Sequence, residues 1–191
     1  MPRNAIETQK RILTAAYRLF YKRGFARVSM DAVAEASGVT KRSVYYHFES
    51  KDALVAAVLQ NQQSHALALV ESWGNKPAVS PAKFLSNLFL ELERWTTGAH
   101  WRGSGYTRLT MELADLPGHP ARKAARQHKR AVEDWLAVKL SDLGAQHPER
   151  LARETMLLIE GSLSLILIHG EAGYASAAAK VAEKLAGKDF R

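Results

Sequence analysis

Apolar residues recur every three or four positions along the chain and nowhere with the period of two that a strand requires, so the pattern predicts an all-α protein of about nine helices. A first helix spans about residues 4–23, with Asn4 as a candidate N-cap, Ile12, Ala16, Leu19 and Phe20 as its apolar stripe, and Gly24 as its stop. Two short helices follow. Met30, Val33, Ala34 and Ser37 share one face of the first, from which Asp31 and Glu35 point away. Gly38 stands where a helix end tolerates positive φ, and Thr40 suits the N-cap of the second. On that second helix Val44 and Phe48 share one face, while Arg42, Tyr45 and Tyr46 project from the other. The gap between the two is too short to hold them in line, so the chain turns sharply as a helix-turn-helix.

A long helical pattern then runs from Ser50 to about residue 73, keeping Leu54, Val58, Leu67, Val70 and Trp73 on its apolar side until Gly74-Asn75-Lys76-Pro77 ends it. Five more helices are expected at about residues 81–96, 106–115, 121–143, 150–169 and 174–185. The fourth of these is apolar nearly all round, and a helix apolar on every side has to be covered on every side. In a chain of this size the last two helices fall at an edge, which predicts a homodimer formed as a four-helix bundle, with Leu158, Leu165, Ala178 and Ala182 near the two-fold axis. The alternative is a single bundle that swallows the helix within one chain.

Composition narrows the setting. The 191 residues are 47% apolar and 24% charged, which describes a folded globular chain. The absence of cysteine excludes disulfides and thiolate metal sites and suits a reducing cytoplasm, the expected location. No apolar core of a signal peptide is visible, and the longest apolar run, residues 156–168, is broken by Glu160, Ser162 and Ser164, so no membrane partner is expected. The formal charge of +8 is uneven: residues 1–50 carry nine Lys or Arg against four Asp or Glu. A basic excess on the segment that holds a helix-turn-helix is the footprint of nucleic-acid binding. It divides the chain into a DNA-binding domain, residues 1–50, and a second domain, residues 51–191.

The outer face of the second short helix supplies the chemistry. Arg42 can donate two hydrogen bonds to a guanine edge, and Lys41, Ser43, Tyr45, Tyr46 and His47 add phosphate donors and ring surface for thymine methyls. The competing possibility is that the tyrosines pack against the preceding helix. The run Gly38-Val39-Thr40-Lys41-Arg42-Ser43-Val44-Tyr45-Tyr46-His47-Phe48, followed by Ser50-Lys51-Asp52-Ala53-Leu54, resembles the signature of the TetR family of transcriptional regulators over about residues 6–56. The resemblance implies that Ser29 and Thr40 contact phosphates, that Lys41, Tyr46 and His47 grip the backbone, that Tyr45 meets the groove, and that Lys51 meets a phosphate. Many members have glycine where this chain has Arg42, which must either read a base or hold the helix slightly away.

The resemblance further implies a repressor that binds a palindromic operator in double-stranded DNA as a dimer, and a C-terminal pocket for a small-molecule effector that releases it. Candidate lining residues are Phe89, Trp95, Trp101, Tyr106, Leu109, Met156 and Glu160, an aromatic set with few polar points. Glu160, an acid inside an apolar helix, needs a partner: an arginine, solvent at a dimer edge, or a ligand.

Two rival functions are weighed. A sequence-independent DNA coater has little use for some 140 residues beyond the DNA-binding segment, which argue for sensing. A small helical enzyme would need a constellation the chain lacks. Ser80-Pro81-Ala82-Lys83 matches S-x-x-K without its partner motifs, Gly103-Ser104-Gly105 is not a nucleophile elbow, and the seven histidines show no H-E-x-x-H. No catalytic residue, metal or cofactor is therefore expected.

Overall fold

The computed structural model describes residues 3–189, which form nine α-helices and no strand. They are α1 (Arg3–Arg23), α2 (Met30–Ser37), α3 (Lys41–His47), α4 (Lys51–Trp73), α5 (Pro81–Thr96), α6 (Gly105–Glu112), α7 (Pro120–Asp142), α8 (Pro148–His169) and α9 (Gly173–Asp189). Five begin behind a Ser or Thr whose side-chain oxygen accepts from the third helical N–H. These are Ser29 (from Ala32, 3.1 Å), Thr40 (from Ser43, 3.1 Å), Ser50 (from Ala53, 3.0 Å), Ser80 (from Lys83, 3.3 Å) and Ser104 (from Thr107, 3.4 Å). Asn4 is not the cap of α1. It lies inside the helix, where its carbonyl accepts from Thr8 Oγ1 at 2.8 Å.

The described residues divide into two compact units: those up to Ser64 together with Ser104–Gln127, and His65–Gly103 together with those from His128 on. Helices α4 and α7 therefore each contribute residues to both. In the first unit, Ile12, Ala16, Val28, Val33, Val44, Phe48, Leu54 and Val58 form one apolar core. Burying a side chain of this kind stabilises by about 1.5–3 kcal/mol. Helix α6 adds polar ties. Tyr106 Oη donates to the Leu59 carbonyl at 2.9 Å, Arg108 donates to the Tyr21 carbonyl at 3.1 Å, and Glu112 accepts from the N–H groups of Phe25 (2.8 Å) and Ala26 (3.1 Å). The Glu112 carboxylate thus satisfies two backbone donors in the turn between α1 and α2.

The second unit is built around Trp73, the apolar stripe of α5, and residues such as Leu136, Leu140, Leu151 and Ile159 from α7 and α8. Along α9 the buried positions are Ala175, Ala178, Ala182 and Ala186, small enough to let the helix lie close against α5 and α8. Ala178 and Ala182, expected at a subunit boundary, are 7% and 1% exposed inside this chain's own core. Helix α9 also runs four residues past its expected end, because Asp189 is anchored. Its carboxylate accepts from His147 N at 2.9 Å and pairs with Arg150. Burial pushes this carboxyl up, but hydrogen bonds from His147 and the Arg150 charge outweigh it and hold the group below its ordinary value.

Candidate nucleic-acid interface

The turn that aims α3 is built from three features. Gly38 adopts φ 64°, the left-handed conformation that lets α2 end abruptly, and its N–H returns to the Glu35 carbonyl at 3.1 Å. Ser37 Oγ donates back to the Val33 carbonyl at 2.7 Å. Arg11 of α1 donates one guanidinium nitrogen to the carbonyls of Ser37 (2.7 Å) and Gly38 (3.0 Å), placing a positive charge at the negative end of α2. Sequence reasoning missed Arg11, because this contact joins positions 26 and 27 residues apart, and its position beside Ile12 on α1 carried no local signal.

Val44 (0% exposed) and Phe48 (6%) turn into the core and fix the rotation of α3. The opposite face is consequently open. Tyr46 is 79% exposed and Tyr45 46%, so neither tyrosine is packed away against α2, and Arg42 and Lys41 are exposed beside them. Ser43 and His47 are half-buried at the margin, with the His47 ring edge-on to Tyr46 at 5.2 Å. Ser29 and Thr40 use a lone pair for capping, which leaves each hydroxyl hydrogen able to donate outward. Lys41 Nζ lies 2.9 Å from Asp31 Oδ2, and this hydrogen bond and charge raise its pKa. Lys51 points into the α1–α2 turn: its Nζ donates to the Ala26 carbonyl at 3.3 Å and sits 4.2 Å from the centre of the Phe25 ring, and burial lowers its pKa. An exposed helix carrying a fork of donors between two tyrosines and two capping hydroxyls can enter a major groove, with the flanking donors left for phosphates.

The other candidate residues are divided between the units. Tyr106 and Leu109 belong to the first, where both are buried; Leu109 lines a small apolar crevice with Tyr17, Phe20 and Val58. Burial raises the Tyr106 phenol pKa. Phe89, Trp95, Trp101, Met156 and Glu160 belong to the second. Phe89 is 1% exposed in the core, and Trp95 packs between Trp73 (5.6 Å between ring centres) and Trp101 (5.9 Å). Trp101 Nε1 is buried with no hydrogen-bond partner among the described residues. Glu160 is paired with Lys129, a lysine rather than the arginine that was one of the three partners considered. Leu158 packs against the second core, whereas Leu165 is 38% exposed. Among the described residues no group of His, Asp or Glu could hold a metal ion, and no helix is long and apolar enough to cross a membrane.

An all-helical chain that presents a capped, outward-facing helix after a tight turn is a helix-turn-helix protein. Residues 12–58 match the family described as bacterial regulatory proteins, tetR family. The chain is similar to the HTH-type transcriptional regulator TtgR of Pseudomonas putida, 36% identical over 88 residues, which cover 46% of this chain and 42% of that protein. It is also similar to the HTH-type regulator UidR of Escherichia coli, 38% identical over 68 residues, 36% of this chain and 35% of that one. These matches span less than half the length of either relative. A likeness over the full length comes from the crystal structure of a TetR-type regulator from Streptomyces avermitilis, with TM-score 0.80 and 28% identity, covering 94% of this chain and 98% of that one. The match to the tetR family thus covers residues 12–58, and the fold of the described residues is similar to that of a TetR-type regulator.

Proposed function

We propose that the protein is a DNA-binding transcriptional regulator, a repressor that occupies a palindromic operator as a homodimer and is released by a small-molecule effector. Residues 1–50 supply DNA binding, and residues 51–191 supply dimerisation and effector sensing in the cytoplasm. The observation that carries this reading is the open face of α3, where Arg42, Tyr45 and Tyr46 stand exposed while Val44 and Phe48 anchor the helix from behind. Arg42 reads a base, and Ser29, Thr40, Lys41, Ser43, Tyr46 and His47 hold phosphates. Lys51 holds the α1–α2 turn first and reaches a phosphate when DNA is present. The names of the similar proteins, all regulators, support a regulator rather than an enzyme.

The dimer is supported by an apolar stripe that α8 leaves in solvent. Leu157 (71% exposed), Gly161, Leu165 and Ile168 (71%) recur at helical spacing, and a side chain at Gly161 would meet nothing within this chain. On α9 the open apolar positions are Ala177 and Val181, which replace Ala178 and Ala182 in the proposed interface. An apolar, aromatic effector with a hydrogen-bond acceptor is supported by the Trp73–Trp95–Trp101 cluster and the unpaired Trp101 Nε1. Binding of purified protein to its selected operator, in gel shift, tests the regulator assignment. One discrete complex at about 150 mM salt is expected, and equal binding to every duplex would favour a sequence-independent coater.

A further inference from the structure

A groove of about 480 Å³ runs along α1 and ends against the last residues of α2. Glu7, Lys10, Arg11, Thr14 and Arg18 line its α1 side and Ser37 its far end, so three cations face one acid. Positions 7, 11, 14 and 18, and likewise 10, 14 and 18, repeat at helical spacing, so Lys10, Arg11 and Arg18 lie on one side of α1. Arg11 is committed to the Ser37 and Gly38 carbonyls. Lys10 and Arg18 are exposed and eight residues apart, about 12 Å along a helix. Over about that distance one DNA strand presents three to four phosphates. The groove's far end, Ser37, lies three residues before Thr40 and four before Lys41 in the chain, at the turn that leads into α3. Its floor is Ala15 and Leu19, with no ring on which a base or an aromatic ligand could stack.

We propose that this groove is a second, sequence-independent contact for the phosphate backbone flanking the half-site, made by Lys10 and Arg18. The proposal rests on the regulator assignment above and adds two contacts outside α3. Each phosphate neutralised by a lysine or arginine contributes about one unit to the salt dependence of binding and nothing to base preference. The test compares wild type with the double variant Lys10→Gln/Arg18→Gln, leaving Arg11 in place. Affinity is measured between about 50 and 200 mM salt for two duplexes: the wild-type protein's selected palindrome alone, and the same palindrome with about ten extra base pairs on each side. On the long duplex the variant should show a salt slope shallower by about two per protomer, so that its affinity falls about tenfold less per protomer across that salt range. On the short duplex the two proteins should bind alike, and selected base preferences should match. Both substituted side chains are exposed, so an unchanged thermal unfolding midpoint is expected and checks the fold. An unchanged slope on the long duplex, or no gain for wild type from the flanks, would overturn the groove while leaving the operator intact. Failure of wild type to select any sequence would instead overturn the regulator assignment and this proposal with it.

Discussion

Arg42 is the residue on which the proposed sequence preference turns. It stands exposed on α3, where a guanidinium can donate two bonds to a guanine edge. Arg42→Ala should therefore relax the selected sequence at one position per half-site, a discrimination of about 1–3 kcal/mol, and leave the other positions unchanged. A selected sequence identical to that of wild type would mean Arg42 only spaces the helix from the groove. A second residue, His128, carries no sequence signal beyond being one of seven scattered histidines. It is 5% exposed, and its pKa falls from 6.5 to about 4, chiefly through burial and then through the adjacent Lys129 charge, with Glu160 opposing. The folded protein keeps this imidazole neutral while the unfolded chain protonates it near pH 6.5, so stability is complete above that pH and declines as pH falls towards 4. The loss is on the order of 3 kcal/mol. Urea unfolding of wild type should weaken between pH 6.5 and 4.5, and His128→Phe should flatten that window. The Asp189 cluster contributes its own loss only at lower pH, below the ordinary carboxylate value. Identical pH profiles for wild type and variant would contradict the assignment to His128.

Among the elements, the α2–α3 turn is where local sequence and tertiary contact meet. Gly38 combines φ 64° with a position at which a Cβ would stand 2.9 Å from the Arg11 guanidinium. Gly38→Ala should destabilise by more than about 1 kcal/mol in urea unfolding and weaken DNA binding further by tilting α3. Full stability of that variant would show that the turn is not held by this conformation. Several helix starts were legible because they carry a chemical mark: Thr40, Ser50 and Ser80 are all seen to cap, whereas Asn4 lies inside α1. The inward and outward faces of α3 were legible for a similar reason, since Val44 and Phe48 share a face at helical spacing. The features that escaped depend on residues distant in the chain. The last turn of α9 is held by His147 and Arg150, some 40 residues earlier, while Glu112 and Arg11 reach turns on other helices. Helix α6 ends at Glu112 rather than Asp115, and its grouping with the N-terminal helices is invisible to any boundary read along the chain. The alanines of α9 were ambiguous in sequence, since small residues suit both a tight intrachain helix contact and a subunit interface.

At the scale of the whole molecule, a palindromic operator requires two reading helices, and therefore two chains. Wild type should sediment at twice the 21.2 kDa of one chain at micromolar concentration. Leu165→Glu/Ile168→Glu should reduce it to one chain, because two charges on the exposed α8 stripe cannot be buried unpaired. A wild-type mass of one chain would remove the dimer. The most direct measurement is selection of bound duplexes from a random pool by the purified protein at about 150 mM salt, where the most weakly held phosphate contacts are largely screened. Recovery of one palindromic sequence, with two half-sites whose strongest shared base disappears in Arg42→Ala, is the predicted result. Binding without any enriched sequence would contradict a specific regulator and leave α3 as a general grip on the DNA backbone.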